Sequence, residues 1–101
     1  SVKLPFFNKD HYHVFHLFVI KTSFRNKLLS FLKKNNVNCS IHYPVPIHKQ
    51  SFYKKITKNN KLNVTEKVSR EIISLPIYPE MKISDIKTII RLIKFFLNNQ
   101  R

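Results

Sequence analysis

Val14-Phe-His-Leu-Phe-Val-Ile20 is a nearly unbroken apolar run, rich in aromatic and β-branched side chains and flanked by polar or turn-forming residues. Too short for a buried helix of ordinary length, it predicts a buried strand. The period then changes. Phe24, Leu28, Phe31 and Leu32 recur at helical spacing, with Arg25, Lys33 and Lys34 on the other side and Thr22 or Ser23 placed to cap the helix. Asn35 and Asn36 close it, since Asn tolerates the left-handed conformation that helix ends adopt where glycine is missing. Cys39 to Tyr43 reads as a second strand, which Pro44 and Pro46 stop.

Ser51 to Lys58 predicts a short helix before a polar turn at Asn59 and Asn60. Thr65 is placed to cap a further helix with Val68, Ile72 and Leu75 on one face. Pro76 and Pro79 bracket a short extended piece, Ile77 and Tyr78. Ser84 is then expected to cap a last helix carrying an apolar stripe of Ile86, Ile89, Ile90, Ile93 and Leu97. Strand, helix, strand, loop, helix, short strand, helix predicts an α+β fold, a small sheet with helices packed on it. Residues 1–12, with Pro5 among mixed polar residues, read as an incoming linker, and residues 13–101 as the domain.

The chain is 101 residues long, enough for one compact domain and too short for two ordinary ones. Its formal net charge of +14 is spread from Lys3 through Lys54 and Lys55 to Arg101. Scattered charge fits a solvated basic surface better than a field that gathers anionic small molecules or nucleic acid. A free-standing basic α+β module that binds nucleic acid remains one alternative. Cys39 is the single cysteine, so no internal disulfide can form and a reducing compartment, the cytoplasm, is expected. The longest apolar run, Val14 to Ile20, is too short to span a bilayer, and no membrane partner is expected. The chain starts at Ser1 without a Met, which suggests a fragment or a processed chain.

Candidate chemistry is sparse. His11, His13 and His16 suggest a metal cluster, but on an extended chain His16 faces away from the other two, and Asp10 stands alone beside them. No metal is expected. Cys39 and His42 would face opposite sides of a strand, which excludes a nucleophile and base pair and leaves Cys39 as a small buried hydrophobe. Asp10, Glu66, Glu71, Glu80 and Asp85 are dispersed, and without glycine no glycine-rich phosphate loop exists. One segment stands apart: Ile41-His42-Tyr43-Pro44-Val45-Pro46-Ile47-His48. Its prolines stiffen a loop that carries two imidazoles and a phenol, so it could present polar groups to a ligand at small entropic cost. It could equally be a structural loop in which Tyr43 packs and the prolines end the strand.

His13-Val-Phe-His-Leu-Phe-Val-Ile20, Phe31-Leu-Lys-Lys34, Ile41 to His48, Ser74-Leu-Pro-Ile-Tyr-Pro-Glu80 and the closing Ile86 to Phe95 helix follow one another in a specific order over almost the whole chain. In that order the chain resembles the C-terminal region of the DegT/DnrJ/StrS family of sugar aminotransferases. The resemblance implies the C-terminal small domain of a fold-type I enzyme that uses pyridoxal phosphate. Such an enzyme is usually a homodimer, and it transfers an amino group, typically from glutamate, to a keto sugar attached to a nucleotide. It also implies that the cofactor's lysine and its acidic partner lie in a large domain outside the matched region. No catalytic or cofactor-binding residue is therefore expected here, and no activity from this segment alone. By the same resemblance His42 and Tyr43 help to bind the sugar nucleotide, with His48 in support, and His16 matches a recurrent strand histidine. Asn35, Asn36 and Ser40 stand where glycines are common. A split gene product that packs against a separate large domain is a further alternative.

Overall fold

A computed structural model describes residues 1–57 and 61–100. Its elements are strand β1 (Phe18–Lys21), helix α1 (Arg25–Lys34), a 3₁₀ turn at Ile47–Lys49, helices α2 (Ser51–Ile56) and α3 (Asn63–Glu71), strand β2 (Ile72–Leu75) and helix α4 (Ile83–Asn98). β1 and β2 form an antiparallel pair, with Phe18 opposite Leu75, Val19 opposite Ser74, Ile20 opposite Ile73 and Lys21 opposite Ile72. The α+β architecture, a small sheet carrying helices, follows the sequence pattern.

Alternate residues of an antiparallel strand turn their backbone polar groups away from the partner strand. Here one outward-facing position on each strand pairs with another segment. Lys21 exchanges two hydrogen bonds with Lys3, at 2.8 and 2.9 Å, and Ser74 exchanges two with Ser40, at 2.8 and 3.2 Å. Each edge of the two-stranded ribbon is thus covered by one further residue pair, which blunts edges that would otherwise remain open.

Ile20 and Ile73 face each other across the ribbon and are buried together with Leu28 and Leu32 of α1, Val37 and Cys39 beyond it, and Ile89 and Phe96 of α4. Burying a Leu or Ile side chain contributes about 2 kcal/mol, so this small core holds α1, α4 and the sheet as one body. Phe31 joins the two helices through its ring, 5.4 Å from that of Phe96 and 6.2 Å from that of Phe95.

Several expectations are corrected. The first strand starts at Phe18 rather than Val14. Phe15 has φ of 51°, a left-handed conformation that breaks an extended run, and its amide donates to His13 Nδ1 at 2.8 Å. The Phe15 ring packs 4.5 Å from His13 and 5.4 Å from Phe7, while Val14 is 78% exposed. The expected strand Cys39 to Tyr43 shrinks to the single Ser40 pairing. Its ladder cannot lengthen in either direction, because Pro76 has no N–H and the Ile72 N–H donates to Val68 at the end of α3.

Ile72 and Leu75 do not continue the helical face of Val68. They belong to β2, because the β-branched pair Ile72-Ile73 takes extended geometry directly after Glu71. The strand therefore precedes Pro76, and Ile77 and Tyr78 pair with nothing regular. Thr22, Ser23, Thr65 and Ser84 are not the helix caps; Phe24, Leu62 and Lys82 occupy those positions. Thr22 Oγ1 instead accepts the Phe24 amide at 3.3 Å, and Glu66 reaches back to the Leu62 amide at 3.3 Å. On α4 the buried line runs through Ile89 and Phe96, and Ile86 and Ile90 are exposed. The helix expected over Ser51 to Lys58 spans Ser51–Ile56, while Lys58 and the turn at Asn59 and Asn60 lie outside the described residues. Asn36 does take the left-handed conformation expected of it, with φ of 59°.

Candidate functional site

The stiffened loop leaves β2 at the Ser40 and Ser74 pairing and returns against α3. At its first end, His42 Nδ1 lies 2.8 Å from the Ser74 hydroxyl. Ser74 is 5% exposed and His42 half-buried, so the imidazole is held at the surface by a buried group. Tyr43 follows across a cis peptide bond; its ring stands edge-on to the imidazole at 5.7 Å and is 74% exposed.

At the second end the chain tightens into the 3₁₀ turn, where the Lys49 amide donates to the Pro46 carbonyl at 2.9 Å and the Gln50 amide to that of Ile47 at 3.1 Å. This turn carries His48 inward, to 8% exposure, with Nε2 3.2 Å from Glu66 Oε1. Lys49 Nζ donates to Glu66 Oε2 at 2.6 Å. Arg70 Nη1 lies 4.0 Å from the same oxygen. Glu66 is thus a hub between α3 and the loop. The hydrogen bond from Lys49, then that from His48, hold its carboxyl at about 2, below the ordinary 4.5.

The structure therefore brings His42 and Tyr43 together and places His48 at the other end of the loop, engaged with α3. Between the ends, Tyr43, Pro46 and Ile47 form one wall of a groove of about 570 Å³ whose other wall is Val64, Val68 and Ile72. A separate apolar cleft of about 630 Å³ runs between the sheet and α4, lined by residues including Phe18, Leu75, Ile86 and Ile90. Sequence reasoning passed over Ser74 and Glu66. A serine within the apolar run Ile72–Leu75 was the available signal for the first, and a lone acid facing a loop rich in His and Lys for the second.

The remaining candidates lie apart from the loop. His11, His13 and His16 are exposed, and among the described residues no three His, Cys, Asp or Glu side chains converge as metal ligands. Cys39 is fully buried, and burial pushes its thiol up to about 11 against the opposing pull of Lys33. No helix among the described residues is long and apolar enough to cross a membrane.

The model of the DegT/DnrJ/EryC1/StrS aminotransferase family matches residues 2–94. A dTDP-3-amino-3,6-dideoxy-alpha-D-galactopyranose transaminase from Aneurinibacillus thermoaerophilus is 33% identical over 89 residues, covering 88% of this chain and 24% of the relative. Among solved structures, DesV of S. venezuelae superposes with a TM-score of 0.89 at 29% identity, over 94% of this chain and 26% of its own. NtdA of Bacillus subtilis, solved with its cofactor PMP bound, gives 0.76 at 27% identity over 92% and 23%. The chain spans about a quarter of the length of these relatives.

Pyridoxal phosphate calls for a sheltered lysine and a charged partner for its ring nitrogen. No described lysine is buried, and no acid lines either cavity. The described residues of these two cavities do not supply that pair of groups.

Proposed function

The chain belongs to the DegT/DnrJ/EryC1/StrS aminotransferase family, and from that premise we propose that it is the C-terminal small domain of a nucleotide-sugar aminotransferase. The whole enzyme would take an amino group from glutamate and place it on a keto sugar linked to a nucleotide, for polysaccharide or glycan biosynthesis. It would act as a cytoplasmic homodimer. Pyridoxal phosphate would be held by residues outside this chain, and the segment alone would be inactive.

The observation that carries the reading is the loop: His42 and Tyr43 stand at the surface, the His42 ring is tied to Ser74, and the backbone just before them is tied to β2 through Ser40. A polar pair fixed in this way meets a ligand without first losing conformational freedom. In this reading His42 and Tyr43 bind the sugar nucleotide. His48 supports them from behind, because its contact with Glu66 fixes the far end of the loop. The net charge of +14 supplies a field suited to a nucleotide diphosphate.

The relatives' names support the substrate class, and the extent of the match supports a small-domain role. The test is to mix the chain with pyridoxal phosphate and record its absorption spectrum. No lysine-dependent band is expected. A new band that disappears on replacing one lysine would overturn the assignment of the cofactor to residues outside this chain.

A further inference from the structure

We propose that Ser74 is a positioning residue that sets the tautomer of His42, so that the imidazole offers an Nε2–H donor to an oxygen of the bound ligand. This rests on the reading of His42 as a ligand-binding residue.

The inference starts from the backbone. Ser74 donates to and accepts from Ser40, so its Cα is fixed from within β2 and from the loop side at once. Its side chain emerges beside Val19 on the ribbon, with residue accessibility of only 5%. A hydroxyl at such a depth requires an acceptor for its hydrogen. Among the described residues the partner it meets is Nδ1 of His42, at 2.8 Å.

In a neutral imidazole one nitrogen carries the proton and the other accepts. With the Ser74 O–H donating into Nδ1, the proton is on Nε2. The two ring nitrogens point to well-separated directions, so Nε2–H is aimed away from β2. A carboxylate in place of Ser74 would do the opposite: it would draw the proton to Nδ1 and leave Nε2 as an acceptor, suited to a hydroxyl rather than to a phosphate oxygen. The choice of serine thus selects what His42 can recognise. Tyr43, edge-on at 5.7 Å, supplies a second polar group beside it.

The experiment is a two-bond ¹H–¹⁵N correlation of the histidine-labelled chain at about pH 8, where an ordinary imidazole is neutral. It is run for wild type, Ser74→Ala and Ser74→Thr, each then titrated with dTDP. In wild type, His42 should show an unprotonated Nδ1 and a protonated Nε2. Ser74→Ala should shift both nitrogens toward the tautomer mixture of a free imidazole and weaken dTDP binding about tenfold, the scale of one charge-assisted hydrogen bond. Ser74→Thr, which keeps the hydroxyl, should restore both.

A protonated Nδ1 in wild type overturns the proposal, as does a Ser74→Ala spectrum identical to wild type. If Ser74→Ala fails to fold, the wild-type spectrum and Ser74→Thr still decide. A fixed Nε2–H tautomer in a chain whose His42 ignores dTDP would leave the role of Ser74 intact and remove the nucleotide reading instead.

Discussion

Glu66 on α3 lies 3.2 Å from His48 on the loop, and through this contact the far end of the proline-stiffened segment is attached to the helix behind it. The same carboxylate accepts from Lys49 and from the Leu62 amide, so it also secures the start of α3. Its low value of about 2 gives the attachment a definite dependence on pH. The folded state binds the proton less readily than the unfolded chain does. The stabilisation is therefore complete above the ordinary value of 4.5 and is lost as the pH falls toward about 2. Urea midpoints measured between pH 6 and 2 should fall in that window, and Glu66→Gln should remove this part of the profile. An unchanged profile in Glu66→Gln would mean that the carboxylate does not hold the loop.

The packed interior between α1 and α4 and the open face of α4 should respond differently to truncation. Leu32, fully buried against α4, should cost about 3 kcal/mol when changed to Ala, as expected for an apolar side chain in a packed interior. Ile90 lines the open cleft at 47% exposure, and Ile90→Ala should cost less than about 1 kcal/mol. Denaturant unfolding of both variants checks the contrast.

Cys39 should be silent in the folded chain. The thiolate is the reactive form, and full burial with a thiol pushed up to about 11 withholds it at neutral pH. A disulfide reagent at pH 8 should label Cys39 only as fast as the chain opens, and should label it at once in urea. Rapid labelling of the native chain would place the thiol at the surface.

Asn36 should accept glycine more readily than alanine. Its φ of 59° lies where a Cβ is penalised and Asn is tolerated. Asn36→Ala should lower stability by about 1 kcal/mol and Asn36→Gly should be close to neutral, as read from thermal or urea unfolding.

The residues that made the sequence legible are those whose pattern is local. Leu28 and Leu32 announce α1 by spacing, Asn36 announces its end by chemistry, and Pro44 and Pro46 mark the loop. Hidden from such reading were features set by distant partners. Nothing near Phe15 shows that its ring packs with Phe7 and His13 instead of extending β1. Whether Ile72 prolongs α3 or begins β2 depends on the register with Lys21, a residue 51 positions earlier. The loop's candidates were visible as residue types, but the division of labour between His42 and His48 was not. It arises because Ser74 and Glu66, on separate elements, meet the two imidazoles from behind.

Titrating the ¹⁵N-labelled chain with dTDP, while following every assigned amide, puts the proposed ligand-facing role of the loop to the test. Shifts centred on His42 and Tyr43, saturating together and lost in the His42→Ala and Tyr43→Ala variants, are expected. No shift in the loop, or shifts spread over the scattered lysines that single-stranded DNA reproduces with higher affinity, would replace the nucleotide-sugar reading with that of a basic nucleic-acid-binding module.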